Sequence, residues 1–160
     1  MHKLVFSVLM IVVWWMLHAM QLDEEMAIGM LYEGKRAVNR AAHAAAQQLD
    51  RDKLEQGIVS IDAEAASAEA LSYLRTNLRL LGDLSPQPGS MLREPVEIRE
   101  FRVINEDVDF PYTYVNAEYG FEVTLRRPGV VLIAHVAYPR LFGVLAPIEW
   151  ELKGSAELVY

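Results

Sequence analysis

The sequence contains no cysteine, which excludes disulfides, thiolate metal sites and a cysteine nucleophile. Folding outside the cytoplasm would have to rest on packing alone. No cluster of Lys or Arg exceeds two adjacent residues, and the formal net charge is -7 with a pI near 5.1. The basic surface that backbone phosphates demand is therefore missing, and nucleic acid is excluded as a partner. Also missing are a phosphate-cradling glycine loop, a G-x-S-x-G elbow and an H-E-x-x-H pair, and Ser60 near Asp62 makes no case for a triad. The four histidines, His2, His18, His43 and His135, stand far apart with no second ligand at metal spacing. Neither an enzyme nor a cofactor is expected.

A further absence is local. Residues 4 to 22 carry no charged side chain, and as a helix rising ~1.5 Å per residue they span about 28 Å, close to the hydrocarbon thickness of a bilayer. The apolar side chains of this membrane or filament-core helix are Leu4, Val5, Phe6, Val8, Leu9, Ile11, Val12, Val13, Trp14, Trp15 and Leu17. Trp14 and Trp15 read as large apolar residues facing lipid or a neighbour rather than as an interfacial belt. His2 and Lys3 precede the run and Asp23, Glu24 and Glu25 follow it, so the positive-inside tendency puts the N-terminus in the cytoplasm and the rest outside. The run ends "MLHAMQLDEE", with Met16, Leu17, Met20 and Leu22 where a signal peptidase needs small residues. A retained anchor is expected over a cleaved signal.

From Ala27 the stretch "AIGMLYEGKRAVNRAAHAAAQQLDRDKLEQG" has no proline and many helix formers, predicting one helix from about Lys3 to Glu55 that stops at Gly57. Gly29 and Gly34 each weaken a helix interior by about 1 kcal/mol, which makes this stretch the place where a bend or a locally melted turn would interrupt the helix. Ala27, Leu31, Gly34, Val38, Ala41, Ala45 and Leu49 recur in steps of four and three, forming a mostly small-residue packing seam that lets another backbone come close. A second helix is predicted from Asp62, as N-cap, to about Gly82. Its stripe Ala66, Ala70, Leu71, Tyr73, Leu74, Leu78 and Leu81 is suited to an antiparallel hairpin with the first helix.

"SPQPGS" at 85–90 marks a change of character. "FEVTLRR" alternates as a half-buried strand. In "PVEIREFRVI", Val96 and Ile98 fall out of phase with Phe101 and Val103, predicting a bulged strand. "VVLIAHVAY" reads as a central buried strand and the tail as one or two more, with Pro147 at an edge or break. The expected fold class is α+β: a long N-terminal helix, a second helix and a small antiparallel sheet of three to five strands. The corresponding segments are 1–57, 58–84 and 85–160. No internal repeat or low-complexity tract occurs. "NEDVDF" at 105–110 groups Glu106, Asp107 and Asp109, but lacks the glycine and terminal glutamate of a calcium loop, so a solvated turn is expected.

The apolar helix almost at the N-terminus, its continuation "RAVNRAAHAAAQQLD", the stretch "AASAEALSYLRTNLRL" and a strand-rich tail ending "GSAELVY" resemble the pilin-like proteins, and among them the TadE-like group of tight-adherence pilus components. The resemblance covers the first half by architecture and the remainder loosely. It implies a cell-surface structural subunit that is held in the membrane before assembly, works with pilus assembly machinery and then packs against copies of itself in a helical filament. Prepilins of this kind carry a basic leader with a glycine at the cleavage point and a glutamate five residues beyond. Here only His2 and Lys3 precede the apolar run, no glycine occurs before Gly29 and the first acid is Asp23, so no processing step and no family glutamate carries over. Staggered chains would instead allow Asp23, Glu24 or Glu25 to pair with Lys3 of an adjacent subunit. The alternative is a single-pass membrane accessory or sensing protein with an extracytoplasmic α+β binding domain.

Overall fold

The computed structural model describes residues 2–140 and 146–159. The long helix α1 runs from His2 to Ala46, a single turn of helix α2 from Arg51 to Glu55, and α3 from Ala63 to Leu78. Five strands follow: β1 Glu97–Ile104, β2 Tyr112–Asn116, β3 Phe121–Leu125, β4 Gly129–Tyr138 and β5 Ile148–Glu157. The α+β expectation holds, with the strands divided between a three-stranded antiparallel sheet ordered β1-β4-β5 and a β2-β3 hairpin.

β4 organises the layers. Its residues are buried on both sides except half-buried His135. Val130, Leu132, Ala134, Val136 and Tyr138 face the core shared with α1 and α3, while Val131 and Ile133 face the hairpin's Tyr114 and Leu125. A strand covered on both faces needs the near-continuous apolar run that its sequence displays. On β1 the register slips between Ile98 and Glu100, making Arg99 the extra residue of a bulge. Side chains alternate along a strand, so without the bulge Ile98 and Phe101 would point to opposite faces. With it, Ile98, Phe101 and Val103 all meet the helix-side core.

Several sequence expectations are corrected. α1 ends at Ala46 rather than near Glu55, because Leu49 forms an antiparallel bridge with Ile61 and the side chain of Asp50 caps the new helix α2 by accepting from the Lys53 amide. Gly57 does terminate a helix, with φ of 79°, but that helix is α2. α1 passes through Gly29 and Gly34 as one helix, with no melted turn between them. Gly34 is backed by β5, where a Cβ would stand 2.6 Å from Leu152 Cδ1. α3 stops at Leu78 rather than Gly82, because Arg79 turns left-handed (φ 54°, ψ 60°) and its amide donates back to the Arg75 carbonyl. Ala66, Ala70, Leu74 and Leu78 form its buried stripe, whereas Tyr73 and Leu81 are exposed.

α3 runs antiparallel to the second half of α1. Ile61, just before α3 begins, bridges Leu49; near its other end Asn77 Oδ1 accepts from Arg40 Nη1 at 2.9 Å, and Leu78 and Met30 line the same depression. The facing residues Ala37, Ala41, Ala45, Ala66 and Ala70 are all fully buried or nearly so, so small side chains bring the two backbones close.

Candidate functional site

At 45 residues, α1 is about 68 Å long. Its two halves behave differently. Asp23, Ala27, Met30, Gly34, Ala37, Val38, Ala41, Ala42, Ala45 and Ala46 are buried against α3, β4 and β5. Of the predicted seam, Ala27, Gly34, Val38, Ala41 and Ala45 lie in this contact and Leu31 and Leu49 are half-buried beside it. The partner that covers them is the chain's own sheet and second helix. The closest approach is at β5: beyond Leu152 against Gly34, a Cβ on Gly154 would stand 2.9 Å from Val38 Cγ1.

The first half covers nothing. Leu4, Val5, Phe6, Val8, Leu9, Ile11, Val12, Val13, Trp14, Trp15 and Leu17 are all exposed, as are Met16, Met20 and Leu22. The segment is apolar on every side, the pattern of a helix whose whole circumference is buried in lipid or protein. By length and composition α1 is a candidate membrane span, and no part of its most apolar window is buried in the chain itself. Ring contacts concentrate at its middle: Trp14 meets Trp15 edge to face at 5.9 Å and His18 at 4.1 Å. His18 Nδ1 bonds the Trp14 carbonyl at 3.0 Å, which satisfies the ring locally in apolar surroundings. Trp14 lies about 12 Å along the helix from Leu22.

The boundary between the halves is marked by a charge pair. Asp23 is buried, and its Oδ2 accepts from Arg140 Nη1 at 3.1 Å. Arg140 Nε also donates to the Ala146 carbonyl at 3.1 Å, so one guanidinium ties the helix exit to both sides of the β4-β5 connection. Tyr138 lies close by, stacked on Trp150 at 6.1 Å; burial pushes its hydroxyl upward and the Asp23 charge adds to that. Lys3, Glu24 and Glu25 are exposed. Asp23 is therefore engaged within its own chain, and only Glu24 and Glu25 of the triplet face outward.

The acidic loop does not gather its carboxylates. Glu106 Oε1 pairs with Lys53 Nζ at 2.5 Å, which holds the Glu106 carboxyl down at about 2, and Asp107 Oδ1 accepts from the Asn105 amide at 3.3 Å. Asn105 itself was not singled out by sequence reasoning, yet its side chain donates to the Ile61 carbonyl and accepts from the Ile61 amide, both at 2.9 Å. It plays the part of an additional strand partner, joining the helix connection to the end of β1. His135 bonds Glu151 at 2.9 Å across the β4-β5 pair, and His2 and His43 are exposed. Among the described residues no three His, Asp or Glu side chains converge at metal-holding distance. A depression of about 180 Å³ between α3 and β1 is lined by Ala70, Leu71, Leu74, Ile98, Phe101 and Leu132 with Ser67 at its side. It offers almost no group for acid-base or nucleophilic chemistry.

Comparison of the chain with protein-family models, with curated proteins and with solved structures finds no match.

Proposed function

We propose that this chain is a pilin-like structural subunit, anchored in a membrane by the first half of α1 and assembled with copies of itself into a surface filament through that same segment. The observation that carries this is the division of α1: its second half buries one face against the head and its first half projects bare and apolar on all sides. Lipid and the interior of a helical bundle both accept such a surface, so one segment serves before and after assembly. His2 and Lys3 at one end and the acidic triplet at the other favour an N-terminus in the cytoplasm and a head outside. The role is structural rather than catalytic, and the other participants are the membrane and the pilus assembly machinery.

Shearing intact cells tests the proposal. Fibres containing this chain are expected in the sheared material, with residues 4 to 22 protected from protease. Recovery only as dispersed monomers in the membrane fraction would refute the filament. Replacing residues 4 to 22 by an unrelated transmembrane segment should keep the head at the surface and abolish fibres. Full function after that exchange would indicate an accessory or sensing protein for which the segment is only a tether.

A further inference from the structure

The outward face of α1 carries a pattern that neither the head nor the anchor uses. Glu24 and Glu25 are exposed just beyond the apolar run, Ile28 and Tyr32 follow at 54% and 62% exposure, and Lys35, Arg36 and Arg40 are exposed beyond them. With 3.6 residues per turn, Glu25, Ile28, Tyr32 and Arg36 fall within a sector of about 80°, opposite buried Asp23, Ala27, Gly34 and Val38. The result is one ridge reading acid, apolar, base. Among the described residues no ion pair of the chain engages Glu24, Glu25, Lys35 or Arg36.

Two of these features are unaccounted for in an isolated anchor. A membrane surface at the acidic triplet leaves Ile28 and Tyr32 in water, one and two turns above it. The charges also follow a fixed interval, since eleven residues separate Glu25 from Arg36 and equally Glu24 from Lys35.

Such a ridge is complementary to a parallel copy of itself, but only when displaced. In register, acids oppose acids and bases oppose bases, and like charges repel. Shifted along the axis by those eleven residues, about 16 Å, Glu24 and Glu25 of the upper copy face Lys35 and Arg36 of the lower. The same shift carries Leu17 to Leu22 of the upper copy past Ile28 and Tyr32 of the lower, covering the stranded apolar pair. We propose that this ridge is the contact between two paired copies of the chain in the filament, displaced along the axis by about 16 Å. The inference rests on the filament reading. Two copies standing in one bilayer cannot adopt the shift, because it would draw an acidic triplet into hydrocarbon, so the contact becomes available only as a subunit leaves the membrane plane.

The absence of native cysteine makes the test direct. In the full chain expressed in its own cells, Glu25→Cys with Arg36→Cys should give a disulfide-linked dimer in sheared fibres under oxidation, while the Glu24 and Lys35 charges stay in place. Each single variant should give none. A dimer from Glu25→Cys alone reports copies in register, and a dimer from Glu25→Cys with His43→Cys but not with Arg36→Cys reports a different shift; either overturns the proposal. Reversing Lys35 and Arg36 to Glu, which does not oppose the N-in orientation, should lower fibre yield about tenfold at unchanged membrane level. Fibres insensitive to these reversals refute the contact while leaving the filament standing, whereas absence of wild-type fibres refutes the filament itself.

Discussion

Gly154→Ala measures how tightly α1 is seated on β5. A Cβ at that position would stand 2.9 Å from Val38 Cγ1, 3.0 Å from Asn39 Oδ1 and 3.2 Å from the Val38 carbonyl oxygen. Carbon atoms pack best at about 3.5–4.0 Å, so the first contact is short by roughly 0.6–1.1 Å. Val38 has no escape: it is fully buried, and a β-branched residue in a helix keeps essentially one rotamer. The helix must therefore lift from the strand, and overpacking of this kind costs about 1–3 kcal/mol. Loss of the glycine's freedom in the unfolded chain returns about 0.4–1 kcal/mol, leaving a net destabilisation of about 1–2 kcal/mol. In detergent-solubilised full chain followed by circular dichroism, Tm should fall by about 2–8 °C. Val38→Ala relieves the clash, so the double variant should be more stable than the two single losses added together. A Gly154→Ala protein as stable as wild type, or strict additivity with Val38→Ala, would refute the seating argument.

Asn105→Ala removes both hydrogen bonds to buried Ile61, stranding an amide and a carbonyl; urea unfolding should show a loss of about 2–4 kcal/mol, and a neutral outcome would mean that another group takes over both bonds. Arg140→Met leaves the Asp23 carboxylate without its guanidinium; as the arginine side chain is 22% exposed, the loss should be about 2–3 kcal/mol, under the ~3–5 of a fully buried pair, and Asp23→Asn in the same chain should recover part of it. Glu106 has a carboxyl depressed to about 2 by Lys53, so its contribution is present above the usual glutamate range and is lost as pH falls from about 4.5 toward 2. The stability difference between wild type and Glu106→Gln should close across that window, and a difference constant with pH would exclude the pair as its source.

The parts of the fold written in local patterning were legible beforehand. The phase break between Ile98 and Phe101 announced the bulge at Arg99, the nearly continuous apolar run 130–138 announced a central buried strand, and Asp62 announced the α3 N-cap. What escaped was decided by distant contacts. Nothing in "AAAQQLD" stops a helix by propensity; Leu49 leaves it because Ile61 pairs with its backbone, and the one local sign was Asp50, a good N-cap embedded in a helical run. β2 went unnoticed because "YTYVN" is short and its partner is needed to show which side is buried, Tyr114 alone being buried along it. The candidate segment, Leu4 to Leu22, was legible from charge absence alone. That Asp23 turns inward to Arg140, while Glu24 and Glu25 turn outward, depends on helical phase relative to a head that the sequence does not place.

Because α1 crosses from the bare segment into the head without a break, no flexible joint separates the two. A pull along the projecting segment passes axially through the helix's own hydrogen bonds and enters the head along the α1 face that rests on α3, β4 and β5. Load is thereby spread over the whole length from Ala27 to Ala46 and resisted in shear, by many side chains at once, instead of peeling them away one after another. At Gly34 and Gly154 helix and strand come so near that an added Cβ would stand 2.6 and 2.9 Å from the facing side chains, so sliding past these points must displace closely packed atoms.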